Sequence, residues 1–307
     1  MTTINPQNSA KSNCTVGLIG LGAMGNGMAQ SLRRAGYSPY VFDLRSEIAV
    51  TFAKDGGTAC ATSNELGSSC DVIVCVVVNA AQTESVLFGT VGCAASMKPG
   101  SVFVMCSTVD PNWSVALEAR LASLGILYID APISGGAAKA ASGQMTMMTA
   151  GKPEAYAIAE PFLNAMAAKV YKLGDSAGAG SKVKIINQLL AGVHIAAAAE
   201  AMALGLREGV DPDALYEVIT HSAGNSWMFE NRMAHVLAAD YTPLSAVDIF
   251  VKDLGIVLDM ARATKFPLPL SSTAHQMFMQ ASTAGFAKED DSAVIKIFPG
   301  IELPKKK

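Results

Sequence analysis

The segment Gly20-Leu21-Gly22-Ala23-Met24-Gly25 follows a short apolar run, Thr15–Ile19, and opens into helix-forming sequence. Glycines at this spacing suit a phosphate. Gly20 permits a tight turn, Gly22 lets a pyrophosphate approach the backbone, and Gly25 lets helix and strand pack closely. Leu21, Ala23 and Met24 lie between them, where the start of a helix offers free N–H groups and partial positive charge. Asp43 closes the next apolar run, Pro39–Phe42. A carboxylate there can accept from both ribose hydroxyls of an adenosine and repels a 2′-phosphate. The pattern points to a dinucleotide, NAD in preference to NADP. Arg45 weakens that preference if it meets a 2′-phosphate, and leaves it intact if it is an exposed loop charge. The alternative for the whole segment is a plain glycine turn.

Hydride chemistry on an alcohol also needs a group that takes the hydroxyl proton. None of the four histidines, His194, His221, His235 and His275, sits in a glycine-rich or strand-end setting. Lys184 is the better candidate. On a helix, Asn187 and Gln188 follow it by three and four residues, so all three share a face. Gly180, a turn earlier, leaves room for a ligand. Val183, Ile185 and Ile186 flank the lysine, and burial disfavours the ammonium form. The competing role is an ordinary lysine with a buried stem and a solvated head. A second loop, Asp130-Ala131-Pro132-Ile133-Ser134-Gly135-Gly136, follows the apolar run Ile126–Ile129. Ser134, Gly135 and Gly136 can present a hydroxyl and bare N–H groups to a carboxylate, or form a simple turn.

These residues need a scaffold. Near-continuous apolar runs at Thr15–Ile19, Pro39–Phe42, Val72–Val78, Val102–Met105 and Ile126–Ile129 read as strands covered on both faces. Helix signals lie between them: Gly36 as a stop, Thr62 with Glu65 as a capping box, and Asp110-Pro111 as a start closed by Gly125. Met145–Ala150 and Lys169–Leu173, around a helix beginning near Pro153, add strands to the same sheet. After Gly174 long helical patterns take over: about Gly180–Glu208, one starting at Asp211-Pro212, then Ser226–Ala238, Val247–Thr264, Ser271–Ala284 and Ser292–Phe298. The fold class is therefore α/β, an N-terminal doubly wound Rossmann sheet over 14–176 and an all-α domain over 177–302 joined to it by a long helix. A polar, flexible tail is expected over 1–13, and a short tail over 303–307 whose Lys305–Lys307 end is solvated.

Half of the 307 residues are hydrophobic, 16% are charged and the formal net charge is -3. That balance excludes a disordered chain and argues against a nucleic-acid partner. No membrane span is expected, because His194 and Glu200 interrupt the longest apolar helix. The N-terminus has no basic region followed by an apolar one, so no secretory signal is expected. The six cysteines form no CxxC pair and read as reduced, buried thiols of a cytoplasmic protein, with no metal site.

From Thr15 to Phe298 the chain resembles the β-hydroxyacid dehydrogenases, the group containing 3-hydroxyisobutyrate dehydrogenase, tartronate semialdehyde reductase and 6-phosphogluconate dehydrogenase. The resemblance rests on GLGAMG, on DAPISGG, on the GxxxKxxN helix at Gly180–Asn187 and on KDLG at Lys252–Gly255. It implies an active site between the two domains. Lys184 would be the proton acceptor and Ser134, Gly135 and Gly136 the carboxylate holders, with Asn187 and Gln188 on the substrate. It further implies that Thr108 and Lys252 touch the dinucleotide. Lys252 would otherwise be half of a helical pair with Asp248. Two departures stand out: Gln188 replaces a usual asparagine, and Val77-Val78 replaces the leucine-proline often found at that cofactor-side strand end. The stretches Gly224–Arg232, Ala246–Leu254 and Lys288–Ile295 resemble the branch of the family that oxidises L-threonate. That branch implies NAD-dependent oxidation of a small hydroxyacid to 2-oxo-tetronate. The all-α domain is rich in Ala, Met and Leu, and the family resemblance implies association through it, as a homodimer or homotetramer. The rivals are 3-hydroxyisobutyrate dehydrogenase, tartronate semialdehyde reductase and, in another class, a non-catalytic dinucleotide sensor.

Overall fold

A computed structural model describes residues 14–306. The expected tail over 1–13 lies outside the described residues, as does Lys307. The chain divides into two compact units. The first holds the residues up to Ser107 together with Ser114–Ala177; the second holds Thr108–Trp113 and the residues from Gly178 on.

The first unit is a mixed sheet. Its strands are β1 (Val16–Ile19), β2 (Tyr40–Phe42), β3 (Thr58–Ala59), β4 (Val72–Cys75), β5 (Val102–Met105), β6 (Leu127–Asp130), β7 (Ile133–Ser134), β8 (Met145–Gly151) and β9 (Ala167–Lys172). They run in the order β3-β2-β1-β4-β5-β6-β8-β7, with β9 paired to β8. From β3 to β6 every pairing is parallel; β8 joins antiparallel to both β6 and β7. β1, β4 and β5 are buried along their whole length, which is why their sequences are continuous apolar runs. The strand order reverses between β1 and β4, so the crevice beyond their carboxyl ends is where such sheets take ligands.

Helices α1 (Ala23–Arg34), α2 (Ser46–Ala53), α3 (Ser63–Ser69), α4 (Ala80–Phe88), α5 (Pro111–Ala122), α6 (Gly136–Ser142) and α7 (Pro153–Met166) complete this unit's elements, α5 beginning in the second unit. The capping signals work as their chemistry requires. Thr62 Oγ1 accepts from Glu65 N at 3.1 Å, while the Glu65 carboxylate accepts from Ala61 N at 2.7 Å. Asp110 Oδ1 accepts from Asn112 N and Trp113 N at 2.8 and 3.1 Å. Strand β4 stops at Cys75, earlier than its apolar run, because Asn79 caps α4 by accepting from Gln82 N at 2.8 Å. Val77 and Val78 therefore lie in a loop. β3 and β7 have two residues each, too short to carry an alternation.

The second unit is helical among its described residues, and α8 (Ala179–Arg207) is its core. Its 29 residues span roughly 43 Å. By length and apolar composition α8 could cross a membrane. Its buried residues, among them Ile185, Ala191, Ile195, Ala199 and Met202, recur at helical spacing and pack against the other helices of the unit. Those are α9 (Pro212–Thr220), α10 (Trp227–Leu237), α11 (Val247–Ala263) and α12 (Pro269–Ala281). The last does not run on to residue 284: a π turn, Ser282–Phe286, replaces its end, with Gly285 at φ 100°. Asp291–Ile297 is a 3-10 helix capped by Asp290.

One buried ion pair fastens this last segment to α10. Arg232 donates through Nε and Nη2 to the two carboxylate oxygens of Asp291, whose side chain is fully buried. Removing one partner leaves a buried charge unmatched, a loss of about 3–5 kcal/mol. Arg232→Met should therefore destabilise the protein by about that amount in urea unfolding. Arg232→Met combined with Asp291→Leu should lose less.

Candidate active site

In the first unit the glycine turn is tight by construction. Gly20 has φ 91°, and a Cβ on Gly25 would lie 1.8 Å from the Gly20 carbonyl oxygen. Only glycine at position 25 lets α1 start against the turn. Gly22 caps α1 without a side-chain hydrogen bond, and a Cβ there would meet open space. Leu21 N donates to Asp43 Oδ2 at 2.7 Å, which ties the turn to the end of β2. The opposite oxygen, Oδ1, accepts from Arg45 N at 2.9 Å and lies 3.3 Å from Arg45 Nε. Burial works to raise the Asp43 pKa, but the N–H groups of Arg45 and Leu21 and the Arg45 guanidinium together hold it below the ordinary carboxylate range. Arg45 is thus an exposed charge engaged with Asp43. Val77 packs its side chain towards Gly20, and Val78 N donates to Gln82 Oε1 at 2.9 Å.

The second loop of this unit is also shaped by glycine. Ser134 ends β7, Gly135 has φ 140° and Gly136, the first residue of α6, has φ 75°. Both glycines occupy backbone regions that side chains disfavour. Helix α6 rests directly on α1. A Cβ on Gly27 would collide with Ala140 and Ala141, and Ser31 Oγ donates to Ala140 O at 2.9 Å. The two helices that begin at the two glycine loops are therefore one packed pair.

The second unit holds the remaining predicted residues. Lys184 and Gln188 are 7% and 8% exposed and lie on the buried stripe of α8. Lys184 Nζ donates to Gln188 Oε1 at 2.7 Å, and Asn187 Nδ2 donates to the same oxygen at 3.0 Å. Gln188 Nε2 donates to Asp253 Oδ2 on α11 at 2.5 Å. The second oxygen of Asp253 lies 2.6 Å from Lys252 Nζ, and Lys252 donates to the Thr108 carbonyl at 3.2 Å. Lys252 thus pairs with its neighbour rather than with Asp248, which accepts from Ser282 Oγ at 2.7 Å. Burial pushes the Lys184 pKa down from 10.5 to about 8; Asp253 opposes that fall and Lys252 adds to it.

Asp253 is the member that sequence spacing missed. It lies within the KDLG motif, but its partner Gln188 is on another helix, and nothing local marks the contact. In the stretch Gly224–Arg232, Ser226 is occupied as the cap of α10, accepting from Phe229 N at 3.0 Å. Asn225 Nδ2 donates to Thr220 O at 3.0 Å and to Glu230 Oε1 at 2.6 Å. Phe229 is core, stacked on Tyr216, while Trp227 is half exposed.

Residues 15–174 match the family described as the NAD binding domain of 6-phosphogluconate dehydrogenase. Residues 178–298 match that described as NAD-binding of NADP-dependent 3-hydroxyisobutyrate dehydrogenase. The L-threonate dehydrogenase of Cupriavidus necator is 70% identical over 291 residues, covering 95% of this chain and 98% of that protein. The chain belongs to the β-hydroxyacid dehydrogenase family. The L-threonate dehydrogenase of Escherichia coli K12 is 53% identical, covering 94% of this chain and 96% of its own. A crystal structure named 3-hydroxyisobutyrate dehydrogenase, from Salmonella typhimurium, superposes with a TM-score of 0.90 at 54% identity, covering 93% of this chain and all of that one. As a β-hydroxyacid dehydrogenase, the chain is an oxidoreductase that binds NAD and acts on a CH–OH group of a small hydroxyacid.

The residues of the first unit fit that dinucleotide. The turn is open at Gly22, the start of α1 has no side-chain cap, and Asp43 offers an ionised carboxylate at the end of β2. Gly25→Ala should disrupt the turn and weaken NADH binding by about a hundredfold or more, an amount equal to roughly two charge-assisted hydrogen bonds. Fluorescence titration of NADH reads the loss.

Proposed function

We propose that the protein is an NAD-dependent L-threonate dehydrogenase, producing 2-oxo-tetronate. The observation that carries the mechanism is the buried amine of Lys184, with its pKa brought near 8. The identity to L-threonate dehydrogenases supports the substrate. The glycine turn and Asp43 would hold the dinucleotide, with Val77, Val78, Thr108 and Lys252 alongside it. NAD, when bound, supplies the hydride acceptor. Neutral Lys184 takes the proton of the C2 hydroxyl as C2 gives up its hydride, so the alcohol becomes a ketone and the amine an ammonium. Asn187 orients the substrate. Ser134 and the N–H groups of Gly135 and Gly136 hold its carboxylate. General-base assistance of this kind contributes about 10²–10⁴-fold.

The name carried by the Salmonella structure favours a second substrate, 3-hydroxyisobutyrate. Assays of L-threonate, 3-hydroxyisobutyrate and tartronate semialdehyde, with NAD and NADP, separate the readings. L-threonate with NAD should give the highest kcat/KM, and NMR should find the product oxidised at C2. Because oxidation needs the neutral amine, kcat/KM should rise with pH through about 8. Ketoacid reduction needs the ammonium and should fall over the same range. Lys184→Ala should abolish turnover and spare NADH binding. Turnover equal to wild type in that variant contradicts the base assignment.

We also propose a cytoplasmic homodimer or homotetramer. The six free cysteines support a reducing compartment. Val183, Ile186, Leu190 and Leu204 leave an apolar edge of α8 exposed by 41% to 62%, which supports self-association. Light scattering at micromolar concentration should give a multiple of the chain mass; a monomer contradicts the assembly.

A further inference from the structure

We infer that Gln188 is a positioning residue: its amide, fixed in one orientation by Asp253, keeps the lone pair of Lys184 free for the substrate. The inference rests on Lys184 being the base, and departs from the direct substrate contact that sequence spacing suggests for Gln188.

The orientation of the amide follows from its neighbours. Oε1 faces two donors, Lys184 Nζ and Asn187 Nδ2, at 2.7 and 3.0 Å. Nε2 faces a carboxylate oxygen of Asp253. Rotating the amide by half a turn would set its NH₂ against Asn187 Nδ2 and its carbonyl against the carboxylate. Both contacts would be repulsive, so Asp253 selects one rotamer of Gln188. Gln188 is 8% exposed, with little access to water that could soften the choice.

The consequence falls on the lysine. A neutral amine has two N–H bonds and one lone pair. One N–H is committed to Gln188 Oε1, which turns the lone pair away from the glutamine. A flipped amide would instead donate to that lone pair and occupy the site that has to receive the substrate proton. Gln188 also acts as a spacer. The charged groups acting on Lys184 are Asp253 and Lys252, both on α11. Asp253 meets the ammonium only through the intervening amide, while its other oxygen is drawn to Lys252 at 2.6 Å. A carboxylate in direct contact with Lys184 would hold the proton on the amine and suppress the base.

Two variants test this by pH–rate profiles between about pH 6 and 10, with folding followed by circular dichroism and NADH titration. Gln188→Met keeps the volume and removes the acceptor. It should lower kcat about tenfold or more, leave KM within about threefold, and move the acid limb of kcat/KM to lower pH. Gln188→Glu sets a charge against the amine and should move that limb up by about one to three pH units. Opposite movement of the two limbs supports the inference. A rise in KM with unchanged kcat and an unchanged limb overturns it in favour of a substrate contact. Unchanged kinetics in both variants also overturn it. If Gln188→Glu does not fold, the nearly isosteric Gln188→Met decides alone. An inactive Lys184→Ala beside unaffected Gln188 variants removes the Gln188 role and leaves the base in place; an active Lys184→Ala removes the base itself.

Discussion

The chemistry proposed for this protein depends on water exclusion at one amine. Lys184 lies on the same buried stripe of α8 as Ile185, Ala191 and Ile195. Burying an unmatched ammonium is costly, and a lysine in that position either loses its proton or finds a counter-charge. Here it does part of each. Desolvation brings the pKa down to about 8, and Asp253 limits the fall. Without Asp253 the pKa would fall further, and a direct ion pair would raise it.

That compromise depends on how the helices pack. Much of the buried stripe of α8 is alanine and glycine, which lets α11 approach closely enough for Asp253 to reach Gln188. In the sheet unit the equivalent constraint is the approach of α6 to α1 at Gly27, which couples the Ser134–Gly136 loop to the helix that begins at the Gly20–Gly25 turn. Both sites are therefore carried on packed secondary structure, and only short segments are loops. Such support is what holds catalytic groups to the tolerance that proton and hydride transfer require.

Much of this was legible in the residues alone. The parallel sheet announced itself because doubly covered strands must be continuously apolar, and the glycine turn because few other residues fit its geometry. Lys184, Asn187 and Gln188 could be grouped because helical spacing brings them to one region. Their family likeness, from the glycine turn to KDLG, agrees with the proteins this chain matches. Contacts between helices were not legible. Asp253 and Gln188 are far apart in sequence, and Lys252 turned to its neighbour rather than to Asp248. Short edge strands such as β3 and β7 escaped for a different reason, since two residues carry no period.

Before any ligand arrives, the interior position of Lys184 has already made its ammonium a strong enough acid to leave a free amine near neutral pH. A ¹³C NMR titration of labelled lysines in the cofactor-free protein, with Lys184→Arg to assign the signal, measures that property directly. The midpoint expected for Lys184 is near 8. A midpoint at the ordinary lysine value of about 10.5 would contradict it.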